Sequence, residues 1–191
     1  MSVKRIHPQT EAIYFCTFTC YQWLHLFELA DVYDEVYKWF NILIKNSIGI
    51  NGYVIMPNHL HVLMYLPNGS KTIDKIIGNG KRFLAYETVS SLECLNQHEL
   101  LTIMRNGVTK KEQEKGKIHQ VFQPSFDAKH CFSDWFIEQK LDYIHHNPVT
   151  GKWKLVEDYT DYLHSSVGFY ECGRIGLVEI MHYKEVGMLR S

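Results

Sequence analysis

A chain of 191 residues and 22.5 kDa can bury a full hydrophobic core, so one domain over residues 1–191 with a short C-terminal extension is expected. With 46% apolar and 21% charged residues it is of ordinary globular composition, and its apolar stretches are too short for a bilayer crossing, which excludes disordered and membrane-spanning classes. A formal net charge of -1 excludes a uniformly basic nucleic-acid binder and leaves only locally concentrated positive charge.

Residues 1–8 lack the apolar core of a secretory signal, and a cytoplasmic location without membrane partners is expected. Residues 13–20, dense in aromatic and β-branched side chains, predict a first strand. Residues 31–46 carry Val32, Val36, Trp39, Phe40 and Leu43 at helical spacing, with Gly49 as the stop. Residues 53–56 and 59–66 predict two strands joined by the Pro57-Asn58 turn, an antiparallel hairpin. Ser70 is placed to cap a helix through Ile73, Ile76, Ile77 and Phe83, with Gly78 and Gly80 as weak points in its continuity. Residues 93–116 read as partly helical and end Lys-rich, and 117–126 is the place for the next strand. Ser133 caps a helix over 134–146, whose Ile137, Leu141 and Ile144 recur at i, i+4 and i+7. Pro148 disfavours helical geometry at Asn147 and should end that helix. Residues 159–191 hold short elements without a clear pattern. The order β-α-β-β-α-β-α with a central hairpin predicts an α+β fold of ferredoxin-like type, an antiparallel sheet packed with helices.

Within this frame His59-Leu60-His61 is the most informative tripeptide. Strand side chains alternate, so the two imidazoles share one face while Leu60, Val62, Met64 and Leu66 form an apolar stripe on the other. Paired imidazoles on a rigid strand suit a metal, although eleven histidines make a chance pair common. A polar group left without a partner on a central apolar strand is costly, which favours a role. Tyr143 and Asn147, spaced i, i+4, share a helix face with Phe136 and Lys140. The plainer alternatives are a packing tyrosine with its hydroxyl in water and an asparagine that ends a helix. The five cysteines, Cys16, Cys20, Cys94, Cys131 and Cys172, are scattered without a C-x-x-C pair, so free thiols are expected.

Taken together, these segments resemble a known family. Residues 53–64, Tyr-Val-Ile-Met-Pro-Asn-His-Leu-His-Val-Leu-Met, resemble the metal-binding strand of HUH single-tyrosine transposases in the REP-associated branch. Val121-Phe122-Gln123-Pro124 resembles the segment before their catalytic helix, with Phe122 where Trp is usual. Tyr143-Ile144-His145-His146-Asn147-Pro148-Val149 and His164-Ser165-Ser166 resemble their Tyr-Ile-His-x-Asn-Pro-Val and Trp-Ser-Ser motifs, and the four segments occur in family order. Residues 150–156 depart from the usual Arg-Ala-Gly-Leu-Val.

The resemblance implies an HUH endonuclease type of fold and a divalent metal, Mg or Mn, held by His59 and His61 with Asn147 as third ligand. It implies that Tyr143 attacks a phosphodiester of single-stranded or hairpin DNA to give a 5′-phosphotyrosine and a free 3′-hydroxyl. A phenol is a poor nucleophile near neutral pH without help, which is what such a site provides. Lys71, Lys75, Lys81 and Arg82 cluster after the histidine strand, and together with Lys140 and Lys152 near Tyr143 they are the candidate DNA contacts; Lys110, Lys111, Lys115 and Lys117 form a further group. Trp153 or Tyr159 is a candidate for stacking on an unpaired base. Two alternatives stay open: a non-catalytic ferredoxin-like nucleic-acid-binding module, and a zinc hydrolase in which Cys16 or Cys20 joins the histidines. Monomer and homodimer stay open as well.

Overall fold

The computed structural model describes residues 11–188. Its elements are β1 (Ala12–Thr19), α1 (Leu26–Leu29), α2 (Tyr33–Lys45), β2 (Gly49–Met56), β3 (His59–Leu66), α3 (Ile73–Cys94), α4 (His98–Asn106), α5 (Lys110–Gln113), β4 (Asp127–Cys131), α6 (Asp134–His146), α7 (Val167–Cys172) and α8 (Glu185–Met188). The strands form one antiparallel sheet in the order β2-β3-β1-β4. This is the expected α+β arrangement, with the predicted hairpin as β2-β3.

Period-2 alternation divides the sheet into two faces, each with its own apolar cluster. Tyr14, Cys16, Phe18, Leu60, Val62, Met64 and Leu66 face the larger cluster, which α2 and α3 complete with Val36, Trp39, Phe40, Ile76, Ile77 and Leu84. Phe15, Val54, Met56 and Leu63 face the smaller one, closed by Ile137, Leu141 and Ile144 of α6. Every residue of β2 and β3 is buried, as in strands covered on both sides.

Several boundaries differ from expectation, each for a local reason. Gly49 opens β2 instead of closing the preceding helix, whose chain turns away earlier at Ser47 with φ 62. The glycine-rich start of β2 hides the strand from propensity. Its packing explains the glycines: a Cβ on Gly52 would lie 2.5 Å from Leu141 Cδ2 of α6. α3 runs unbroken through Gly78 and Gly80 to Cys94, and its cap is Thr72, whose hydroxyl accepts the Lys75 N–H at 3.4 Å. Gly80 is required there because the Trp39 indole of α2 occupies the place of a Cβ.

The fourth strand is Asp127–Cys131 and not 117–126; its exposed Asp127, Lys129 and His130 mark an edge strand with little apolar alternation. Asn147 keeps helical angles, φ -53 and ψ -41, despite Pro148, and opens a single 3₁₀ turn, Asn147–Val149. The tail runs along the free edge of β2: Ile55 N–H donates to His164 O, Ser166 N–H to Tyr53 O and Met181 N–H to Ile50 O, each at 2.8–2.9 Å. Among the described residues no helix is long and apolar enough to cross a membrane.

Candidate active site

His59 and His61 project from β3 on the α6 side of the sheet, their ring centroids 4.7 Å apart. Each is fixed through Nδ1. His59 Nδ1 lies 2.6 Å from Asn58 Oδ1, and the Asn58 amide nitrogen donates to Trp23 O at 3.0 Å. That second bond sets which end of the carboxamide faces the ring, so His59 donates from Nδ1 and carries its lone pair on Nε2. His61 Nδ1 lies 2.6 Å from the hydroxyl of Thr17, its register partner on β1. His61 Nε2 is buried and has no hydrogen-bond partner. An orphaned imidazole nitrogen at the floor of a cleft is the feature a metal would satisfy.

Burial holds both rings neutral. It pushes His59 down to about 4, with a hydrogen bond to the Asn147 side chain opposing and the Lys152 charge reinforcing the shift. Burial pushes His61 down to about 3, helped by the charges of His59 and Lys140. Neutral imidazole is the form that ligates.

α6 brings Tyr143 to the same cleft. Ser133 caps this helix, its hydroxyl accepting the Phe136 N–H at 3.3 Å, and Ile137, Leu141 and Ile144 dock on the sheet. The Tyr143 ring, half exposed, stands 5.3 Å from the His61 ring at 72°. Phe15 stacks on His61 at 5.5 Å and meets the Tyr143 ring edge-on at 6.4 Å, and the Lys140 ammonium lies 5.2 Å over Phe15 and 5.9 Å from the Tyr143 ring. The cleft, about 520 Å³, is lined by these groups with Asn147, Thr17, Thr19, Trp23 and Trp153. On the back of α6, His145 Nε2 lies 3.0 Å from Ser166 Oγ, which also accepts Tyr53 N–H and donates to Tyr53 O. Burial, and secondarily the charge of His146, pushes His145 down to about 4. This contact ties the helix to β2.

The structure therefore brings together Tyr143, His59, His61, Asn147 and Lys140, with Lys152 close enough to act on His59. The four cations grouped by sequence do not join them. Lys71 and Arg82 line a separate groove of about 510 Å³ beside Trp39, on the α2–α3 side of the sheet. Lys75 is exposed in the first turn of α3. Lys81 is committed to the chain itself: its ammonium donates to the carbonyls of Gln123, Pro124 and Ser125 at 2.6, 3.4 and 3.2 Å, and burial brings it down to about 8. Cys16 and Cys20 belong to the opposite face, in the larger core, so neither can share a metal with the histidines. All five cysteines are free. Among the described residues no group of three or more His, Cys, Asp or Glu comes together that could hold a metal.

Sequence reasoning missed Thr17, Asn58 and Trp23. Thr17 becomes visible only through strand register, and Asn58 reads as a turn residue until its two side-chain bonds are seen.

The chain matches no protein-family model and no curated protein. Among solved structures, one described as a REP-associated tyrosine transposase bound to a REP hairpin matches with a TM-score of 0.62 over 95% of this chain and 92% of that one, at 17% identity. The chain has the fold of a REP-associated tyrosine transposase. A crystal structure provisionally assigned as a transposase of Deinococcus radiodurans R1 matches more loosely, with a TM-score of 0.43 over 76% of this chain and 97% of that one, at 17% identity. In this fold the histidine strand is central and the tyrosine helix crosses the face opposite the main core.

Proposed function

We propose that the protein is a transposase-like enzyme that nicks and rejoins single-stranded DNA at a hairpin through a covalent 5′-phosphotyrosine. One observation carries this reading: Tyr143 faces the His59–His61 pair across a single open cleft, with ring centroids of Tyr143 and His61 5.3 Å apart. Hairpin DNA as partner is supported by the REP hairpin in the structural relative.

The residues fit a divalent cation, Mg or Mn. Two neutral imidazoles offer Nε2, one of them without any other partner, and the Asn147 carboxamide adds a neutral oxygen donor beside His59. When bound, the cation supplies positive charge at the scissile phosphate. The chain's own residues do the rest. α6 holds Tyr143 at the mouth of the cleft, where its Oη forms a bond to phosphorus while the bond from phosphorus to the 3′-oxygen breaks. The phenolic proton passes to water, which reaches the half-exposed ring, and the departing 3′-oxygen takes a proton from solvent. The ammonium groups of Lys140 and Lys152 attract the phosphate backbone to the same rim. The phosphotyrosine conserves the phosphodiester, so attack by another 3′-hydroxyl reverses the step on a new strand.

The test uses a library of single-stranded hairpins with randomised flanks, labelled and incubated with Mn, and looks for a denaturation-resistant protein–DNA adduct. Wild type should form it, and Tyr143→Phe should lose it while still binding DNA. A Phe variant that cleaves at the wild-type rate refutes the assignment, and binding without an adduct in wild type leaves a non-catalytic module.

A further inference from the structure

The turn that follows β1 carries two consecutive non-glycine residues in the left-handed region, Gln22 at φ 50 and Trp23 at φ 59. L side chains avoid this region, bulky ones most of all, so the surroundings must hold the backbone there. They do. Cys20 N–H donates to Asn58 O at 2.8 Å, Trp23 N–H to Cys20 O at 3.1 Å and Tyr21 N–H to Val121 O at 2.8 Å, and the Asn58 side chain donates to Trp23 O at 3.0 Å. The outcome is a tryptophan that is 57% exposed and still lines the cleft.

Its neighbourhood singles it out as a platform. The Trp23 ring meets His59 edge-on, with centroids 6.2 Å apart and planes at 70°, and among the described residues no other ring and no cation stacks on it. The two aromatic residues that the sequence suggested for stacking are already covered. The Trp153 ring lies under the Lys152 ammonium at 5.3 Å and beside His25 at 5.3 Å. The Tyr159 ring stacks on His146 at 4.0 Å. Apart from Tyr143 itself, the free aromatic surface of the cleft therefore belongs to Trp23.

We propose that Trp23 is a stacking platform for one unpaired nucleobase of the DNA strand, the base flanking the phosphate presented to His59, His61 and Tyr143. Every base has a π-face, so the platform tolerates any sequence and fixes position. The Asn58 carboxamide, bonded both to Trp23 O and to His59 Nδ1, joins the platform to the histidine beside it. A base seated on Trp23 therefore sets the distance between its own phosphate and the two imidazoles. This assignment rests on the nicking reading, yet it is a statement about binding and can be tested apart from cleavage.

The probe is a single-stranded hairpin oligonucleotide in which one abasic site is moved stepwise through the unpaired flank. Its affinity is measured by fluorescence anisotropy for wild type, Trp23→Ala, Trp23→Phe and Trp23→Gly, with the exposed, distant Trp135→Ala as control. Loss of one stacked base should weaken binding by about tenfold. Trp23→Ala should lose that factor on the intact strand, Trp23→Phe should keep most of it, and Trp135→Ala should bind as wild type. One abasic position should weaken wild type by the same factor and leave Trp23→Ala unaffected, the non-additivity of two groups in contact. Trp23→Gly removes the ring and also the backbone strain, so it should bind weakly without a lower melting temperature. An abasic scan that is identical in wild type and Trp23→Ala overturns the proposal, as does a wild type that binds no single strand. If the coupling is present but wild type forms no adduct with Mn, the platform stands and the nicking reading falls; an adduct without the coupling leaves the reverse.

Discussion

Three buried imidazoles make the fold sensitive to mild acid. His59, His61 and His145 are held at about 4, about 3 and about 4 in the folded protein, chiefly by burial, against 6.5 when unfolded. All three shifts are downward. Between the folded and unfolded values the unfolded chain binds more protons, so the stability from these groups is complete above pH 6.5 and drains away as pH falls toward 4. From pH 7 to pH 5 each unfolded imidazole takes up most of a proton while its folded counterpart takes up almost none, which removes about 2 kcal/mol per residue. Together they remove about 6 kcal/mol, against a total stability of about 5–15 kcal/mol for a domain. The assay is urea unfolding of chelator-treated protein at pH 7, 6 and 5, extrapolated to water. His145→Gln should flatten the dependence by about one third, since one of three comparable terms is gone. A stability that does not change over this interval, or imidazole NMR resonances that titrate near 6.5, refutes the reasoning.

Two further outcomes follow from packing and charge. Gly80→Ala gains about 1 kcal/mol of helix propensity but drives a Cβ into the buried Trp39 indole, so we expect a net loss of about 1–3 kcal/mol, read as a lower melting temperature. A higher melting temperature would show that the α2–α3 contact is looser than it looks. Lys81→Met leaves three carbonyls without their ammonium and should destabilise by about 1–3 kcal/mol with unchanged affinity for single-stranded DNA. Lys140→Met should do the opposite, weakening binding and flattening its dependence on salt between about 50 and 200 mM as measured by anisotropy.

Legibility in the sequence followed local patterning. His59 and His61 were readable because alternation alone places them opposite the stripe of Leu60, Val62, Met64 and Leu66, and that stripe does face the larger core. The α6 helix, Asp134–His146, was readable to the residue because Ser133 caps it and its apolar spacing is regular. What escaped depended on partners distant in sequence. Gly80 looks like a helix breaker until Trp39 is placed against it, and Lys81 looks like a phosphate contact until three carbonyls surround it. Pro148 misled for a simpler reason: its steric preference at Asn147 is a bias only, and Asn147 stays helical with its side chain buried beside His59. Trp23 escaped because nothing in Tyr21-Gln22-Trp23 announces left-handed angles without glycine.

The two margins of the sheet have a consequence for how copies of this protein meet. A bare strand edge is a template on which another chain can pair, and this sheet offers little of one. Along β2 the open backbone groups are taken by the molecule's own tail at His164, Ser166 and Met181. Along β4 the strand is only five residues long and shows Asp127, Lys129 and His130 to solvent. Strand-on-strand polymerisation is thereby discouraged at both sides of the sheet. Among the described residues, self-association through strand pairing is disfavoured and falls instead to the helical surfaces.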